Sequence, residues 1–89
     1  MRVKARKYVI NAENLRRKQE GRVIVSSESL AKFAISRAFV TNKAAARTLL
    51  ENAKTQLESR MTDFSDSERV VSTIKRLKEK IDAEIERLG

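Results

Sequence analysis

The chain contains no proline and only two glycines, at positions 21 and 89, in a length of 89 residues. Because proline and glycine interrupt helices most strongly, long helices can form over most of this sequence. Charged residues make up 36% of the chain and aromatic residues 4%, which is typical of a mostly helical protein with a thin core. We therefore expect one small domain over residues 1–89, and a core this thin favours a homodimer.

The clearest helical pattern lies in the last third of the chain. Ser65 and Glu68 have the spacing of a capping box, which predicts a helix from residue 66 to the C-terminus. Its apolar residues follow alternating steps of three and four, with Glu84 in one place of the series: Val70, Ile74, Leu77, Ile81 and Leu88. This seam predicts either a dimeric coiled coil or an antiparallel hairpin with the preceding helix, joined by a loop of about four residues.

Two helices are predicted in the middle of the chain. The first runs from Ser27 to about Ala38 and is capped by Ser26 or Ser27. The second runs from Asn42 to about Met61, and Thr41 is its predicted cap. Its apolar positions recur at helical spacing: Ala46, Leu49, Leu50, Ala53 and Leu57.

The N-terminal quarter predicts extended backbone. Basic and apolar residues alternate over residues 2–10, and β-branched and aromatic side chains favour strands. A short helix over residues 12–20 would follow, with Gly21 as its stop, and residues 22–26 would form a second strand. The predicted fold class is therefore mainly α with a short β-ribbon (α+β): a basic N-terminal part, 1–26, and a helical part, 27–89.

The net charge is +8, and most of it lies near the N-terminus, because residues 1–22 hold eight Lys or Arg against two Glu. A charge concentrated in this way attracts phosphates. The chain has no cysteine and no histidine, and it lacks glycine-rich phosphate loops and nucleophile motifs. We therefore expect no enzyme, no cofactor and no metal, a cytoplasmic setting, and no membrane span, since the longest apolar runs are far shorter than about 20 residues.

Nucleic acid is the partner that the charge pattern favours, DNA rather than RNA. The residues expected to contact phosphates lie in the first quarter of the chain: Arg2, Lys4, Arg6, Lys7, Arg16, Arg17, Lys18 and Arg22. On a strand, alternate side chains share one face, which would align the first three of them. Only Tyr8 is placed to stack on an unpaired base.

The segment from Arg22 to about Arg60 is predicted to run strand, helix, tight turn, helix. This order resembles the ribbon-helix-helix repressors, and the resemblance implies that Arg22, Ile24 and Ser26 face the bases while Val23 and Val25 face the core. The same segment can also form a helix-turn-helix or an ordinary helical hairpin. In a helix-turn-helix the start of the second helix reads base edges, which makes Asn42, Lys43 and Arg47 the candidates there.

Two functions from different classes follow from these patterns. The first is a small basic DNA-binding protein, a transcriptional regulator or DNA-accessory factor that acts as a dimer. The alternative is a helical protein–protein interaction module, an adaptor or inhibitor, that uses the helices over residues 42–61 and 66–88.

Overall fold

The protein is a bundle of three α-helices. The computed structural model describes the backbone of residues 2–89 and the side chains of residues 13–89. Helix α1 spans Arg2–Phe39, α2 spans Lys43–Asp63 and α3 spans Glu68–Leu88, and the described residues form no strand. The molecule is elongated, with a long dimension of 62 Å.

Contacts between side chains define the directions of the three helices. Lys54 pairs with Asp82 and Glu58 pairs with Lys78, so α2 and α3 are antiparallel. On α1, Glu20 lies opposite Arg69 and Glu28 lies opposite Arg76, so α1 and α3 are parallel. The bundle is therefore an up-down-up arrangement, in which the α2–α3 hairpin lies along one side of α1.

The core combines large side chains from the hairpin with small ones from α1. The hairpin contributes buried branched residues at steps of three and four, among which Leu50, Leu57, Ile74 and Ile81 are fully buried. α1 contributes Ser27, Ala31, Ala34 and Ala38, which are also buried. Small side chains at a helix contact permit close approach of the helices, so α1 can pack closely against the hairpin. Partly buried apolar side chains of α1 pack around this contact: Val23, Ile24, Leu30 and Ile35.

Polar side chains occupy the places where the apolar seams of α1 and α3 are interrupted, and they are hydrogen-bonded there. Ser27 is fully buried, and its hydroxyl accepts a hydrogen bond of 3.1 Å from the Arg60 guanidinium. Glu84 occupies the polar place in the seam of α3, where it accepts bonds of 2.6 and 3.0 Å from Arg87. Among the described residues no buried side-chain nitrogen or oxygen lacks a partner, as expected for a stable interior.

The predicted strand pair is wrong, because residues 2–10 and 22–26 are both part of α1. Val23 and Val25 show the difference directly. On a strand they would share a face, but here Val23 packs against the core while Val25 is 64% exposed. The side chains of Arg2, Lys4 and Arg6 lie outside the described residues. The expectation that these three share one face depended on strand geometry, and a helix repeats every 3.6 residues instead.

Gly21 does not stop a helix, contrary to the prediction. α1 continues through it, and the described residues include only one glycine with positive φ, Gly89. A helical glycine costs about 1 kcal/mol relative to alanine, which lowers helix stability without ending the helix. The seam of α1 continues on both sides of this position, through Glu20 and Ile24, so tertiary packing outweighs the local preference.

The two predicted helices after residue 40 are confirmed, with their starts shifted by one or two residues. Asn42, rather than Thr41, caps α2, and its side-chain oxygen accepts a 2.9 Å bond from the Ala45 amide. Ser67, rather than Ser65, caps α3. Of the two readings of the last seam, the antiparallel hairpin is the one that the structure contains.

The ribbon-helix-helix resemblance requires a strand over residues 22–26, but these residues are helical. The expectation that Arg22, Ile24 and Ser26 face the bases depended on that strand and therefore loses its basis. The helix-turn-helix geometry also differs from the structure. Its two helices cross steeply, whereas α2 runs back along α1, as the Arg60 bonds to Ser26 and Ser27 show.

Candidate nucleic-acid interface

α1 presents a basic face on the side away from the hairpin. At about 100° per residue, the exposed residues centred opposite the buried seam fall within a sector of about 140°. We define them as the outer face: Asn14, Leu15, Lys18, Gln19, Arg22, Val25, Ser26, Ser29, Lys32, Phe33, Ser36 and Arg37. The hairpin covers the opposite side of the helix, so the outer face is the part of α1 that the fold leaves open to solvent.

The outer face contains four basic residues and no acidic one. α1 has three acidic residues after its first turn, and none of them belongs to the outer face, although Glu28 lies about 40° beyond its Lys32 edge. Glu20 and Glu28 point toward Arg69 and Arg76 of α3, each at 3.9 Å. Glu13 lies at the helical angle of the buried seam. Glu20 and Glu28 therefore link α1 to α3, and the outer face keeps an uncompensated positive charge.

The basic residues of the outer face are Lys18, Arg22, Lys32 and Arg37. Among residues 13–89 none of these four takes part in an ion pair. Residues 1–12 contain no Asp or Glu that could pair with them. An anion can bind these side chains without first breaking an ion pair within the protein.

The charge of the whole molecule has the same asymmetry. Residues 2–39 contain ten Lys or Arg and three Glu, a net charge of +7 out of +8. α2 and α3 each carry one more basic than acidic residue. Their exposed surfaces therefore mix both signs, whereas α1 accounts for nearly all of the positive field.

The structure divides the predicted phosphate ligands into three groups. Arg2, Lys4, Arg6 and Lys7 belong to the first two turns of α1, and their side chains lie outside the described residues. Lys18 and Arg22 lie on the outer face, and Arg17 is exposed beside it.

Arg16 differs from the other predicted phosphate ligands because it contacts the bundle. Its guanidinium pairs with Asp66 and lies over the ring of Phe64, 4.8 Å from the centroid. It therefore joins α1 to the connection between α2 and α3.

The predicted base-reading residues lie at the other end of the bundle. Lys43 begins α2 next to the end of α1, and this position is about 34 Å from Arg16 along the helix, at 1.5 Å per residue. Asn42 uses its side-chain oxygen as the cap of α2. Arg47 pairs with Glu51 at 3.4 Å. The fold thus does not join the two sets of predicted residues into one surface.

Sequence reasoning missed Lys32, Phe33 and Arg37 as members of the charged face. The helical period could have indicated them. It places Lys32 and Phe33 on the same side of α1 as Ser29 and Ser36 when α1 is one continuous helix. Phe33 and Phe39 are large aromatic residues, and each is 61% exposed. An arginine lies over each ring: Arg37 over Phe33 at 5.6 Å and Arg87 over Phe39 at 4.3 Å from the ring centroid.

The ion pairs of the hairpin are ordinary surface contacts. Lys54 donates to Asp82 at 2.7 Å, and this hydrogen bond, together with nearby carboxylates, raises the pKa of Lys54. In the part of the chain with described side chains, no three acidic residues come together as candidate metal ligands. Likewise, no helix there is long and apolar enough to cross a membrane.

An open surface depression follows the outer face of α1 and is lined by Lys18, Gly21, Arg22, Val25, Ser26 and Ser29. An open surface of this form is suited to an extended partner rather than to a small enclosed ligand.

The chain was compared with models of protein families, with curated proteins and with solved structures, and none of them matches it.

Proposed function

We propose that this protein binds nucleic acid through α1, with the basic side chains of the outer face contacting phosphates. The observation that carries the proposal is the charge of that face: four basic side chains without an ion pair, and no acidic residue. A role as a transcriptional regulator or DNA-accessory factor is the form of this function that the sequence favoured.

The arrangement of the charges supports an extended anionic partner. Lys18 and Arg37 are 19 residues apart, which corresponds to about 28 Å of helix. Phosphates recur along each strand of a nucleic acid at short intervals, so a face of this length can meet several of them. Ser29 and Ser36 lie between the basic residues, and serine hydroxyls also hydrogen-bond to phosphate oxygens.

Salt dependence tests the proposal. Each phosphate contact contributes to the slope of log affinity against log salt concentration, by about 0.9 for duplex DNA. We expect measurable binding to a duplex at low salt, and replacement of both Lys18 and Arg22 by Gln should reduce the slope by about two units. Fluorescence anisotropy of a labelled oligonucleotide over a series of salt concentrations measures this.

A matched pair of single substitutions separates the outer face from general charge. Lys18→Gln and Lys75→Gln each remove one exposed lysine that has no ion pair among the described residues, but Lys75 is on α3. We expect the slope to fall by about one unit for Lys18→Gln and to stay unchanged for Lys75→Gln. Equal effects would show that net charge alone drives binding, and the absence of duplex binding at low salt would remove the proposal.

A second candidate function is the binding of another protein through the apolar residues of the outer face. The outer face also carries Leu15, Val25 and Phe33, all more than half exposed. Apolar residues between basic ones fit an amphipathic helix of another protein that has acidic flanks. The interaction module expected from the sequence would instead use α2 and α3, whose apolar seams are buried in the bundle.

Nuclease treatment distinguishes the two candidates. If a partner captured from a lysate remains bound after nuclease digestion and is lost in Leu15→Ala/Val25→Ala, protein binding is favoured. Loss of the captured material on digestion favours nucleic acid. Homodimer formation stays a prediction, which light scattering of the full chain measures.

A further inference from the structure

Phe33 is a large aromatic side chain that the fold leaves outside the core. It lies on the outer face of α1 and is 61% exposed, whereas the buried seam of the same helix uses only serine and alanine. Keeping a phenylalanine ring in water is unfavourable, because its burial would stabilise a folded or bound state. The exposed ring is therefore available to a partner that can cover it.

The surroundings of Phe33 are basic. The Arg37 guanidinium lies 5.6 Å from the ring centroid and has no ion pair among residues 13–89. Lys32 is the adjacent residue and is exposed. An aromatic ring beside cations that have no acidic partner is complementary to a group that is both flat and attached to an anion.

A nucleotide with an unpaired base has both of these properties. Its base presents a π-face for stacking, and its phosphate is attracted by the neighbouring cations. In a duplex the base faces are stacked on one another, so duplex DNA offers phosphates to the outer face without a ring for Phe33. Phe33 is 11 residues from Arg22, or about 16 Å along α1, so one strand can contact both.

We propose that the outer face of α1 prefers single-stranded nucleic acid, in which an unpaired base stacks on Phe33 while its phosphate contacts Arg37 or Lys32. This inference rests on the proposed function, because it names the class of nucleic acid that the same face binds. Single-stranded DNA and single-stranded RNA share the required chemistry.

Phe39 provides a matched control within the same helix. It is also 61% exposed and also lies under an arginine. Six helical residues place it about 120° around the helix from Phe33, about 20° beyond the Lys32 edge of the outer face. However, its arginine, Arg87, is paired with Glu84 and is therefore not free to bind a phosphate. Substitution of Phe39 therefore removes an equivalent ring from a position without an unpaired arginine beside it.

Tryptophan fluorescence provides a direct probe of stacking. The chain contains no tryptophan, so Phe33→Trp introduces a single reporter, and Phe39→Trp places the same reporter at the control position. The ligands are an oligothymidylate, an oligouridylate, a duplex, and an abasic deoxyribose–phosphate oligomer of the same length. We expect quenching of the Phe33→Trp signal by the two single strands, but little quenching by the duplex or the abasic oligomer, and little quenching of Phe39→Trp by any of them.

Affinity measurements complete the experiment. Phe33→Ala should weaken binding of the single strands by about 10-fold, which is within the range for loss of one stacked base, and should leave abasic binding unchanged. Phe39→Ala should change neither. Relative quenching by the two single strands then tells whether DNA or RNA fits better.

The possible failures separate the inference from the proposed function. If the abasic oligomer and the single strands bind equally well and Phe33→Ala affects both alike, the preference for unpaired bases is wrong while phosphate binding survives. If Phe39→Trp is quenched as strongly as Phe33→Trp, stacking is not specific to the outer face and the inference is overturned. If no oligomer binds at low salt, both the inference and the proposed function are wrong.

Discussion

α1 and the α2–α3 hairpin contribute to the bundle in opposite ways. The hairpin buries its large branched side chains, such as Leu57 and Ile74, and exposes a surface on which positive and negative charges are mixed. α1 buries small side chains, such as Ala31 and Ala34, and exposes basic and apolar ones. The hairpin therefore supplies most of the apolar area that stabilises the fold, whereas α1 supplies the surface available for binding.

This difference separates stability from function along the chain. Substitutions of the buried hairpin residues should lower the free energy of unfolding, and substitutions on the outer face of α1 should change binding without changing stability. The following five variants test that separation, in order of decreasing expected effect.

Ile74→Ala should have the largest effect on stability. Ile74 is completely buried in the hairpin, and removal of its side chain leaves a cavity that costs about 2–5 kcal/mol. Urea unfolding followed by circular dichroism measures the loss. Val25→Ala on the outer face is the control and should change stability by less than about 0.5 kcal/mol. A loss of the same size in both variants would contradict the proposed difference between the regions.

Ala34→Leu tests whether the small residues of α1 are needed for close packing. Added methylene groups in a filled interior cost about 1–3 kcal/mol. Ser36→Leu places the same side chain on the outer face and should be nearly neutral in the same urea titration. If Ala34→Leu is stable, α1 does not pack closely at this position.

Asn42→Ala distinguishes a capping role from base recognition. Loss of the bond to the Ala45 amide should cost about 1 kcal/mol, because an orphan helix donor loses its partner. Asn42→Ser keeps a capping oxygen and should retain stability in thermal unfolding. If the outer face is the binding surface, Asn42→Ser should also retain affinity for nucleic acid, and a loss of affinity would indicate a base-reading role.

Gly21→Ala should raise the free energy of unfolding, whereas the three variants above should lower it. A Cβ atom at this position would meet no atom within 4 Å apart from those of the adjoining backbone of α1. The substitution removes backbone freedom from the unfolded chain and is worth about 0.5–1 kcal/mol in a helix interior. Thermal unfolding of the variant and the wild type gives the difference, and a lower midpoint in the variant would mean that the glycine has a conformational role in α1.

The Lys54–Asp82 pair should have the smallest effect, which disappears at strongly alkaline pH. The pKa of Lys54 is raised above 10.5 in the folded protein, chiefly by the hydrogen bond to Asp82. The pair's contribution is therefore fully present below 10.5 and is lost as pH rises through the higher folded value. Urea midpoints of the wild type and Lys54→Gln should differ slightly at neutral pH and converge at strongly alkaline pH, and a constant difference would argue against the pair.

Much of the hairpin could be predicted from the sequence, and little of α1 could. Val70, Ile74, Leu77 and Ile81 are large and apolar, so their spacing indicates a helix without further context. The equivalent positions in α1 hold serine and alanine, which give no such pattern. Val23 and Val25 instead pointed to a strand, because β-branched residues in a short window favour extended backbone.

The candidate site was predicted only in part for the same reason. The concentration of basic residues in the first quarter was visible, and Lys18 and Arg22 belong to the outer face. Lys32 and Arg37 were missed because they join this face only when α1 is one continuous helix. The sequence also could not tell that Arg16 is occupied by Asp66, since these residues are 50 positions apart.

The sequence by itself determined that the chain is mostly helical, that its last third forms an amphipathic helix, and that the positive charge is concentrated toward the N-terminus. These properties depend on residue type and local spacing. Only the tertiary structure decided that residues 2–39 form a single helix, that the last two helices pair as a hairpin, and which side of α1 remains exposed. The physical reason is that alanine and serine become a packing surface only when the large residues of the hairpin lie against them.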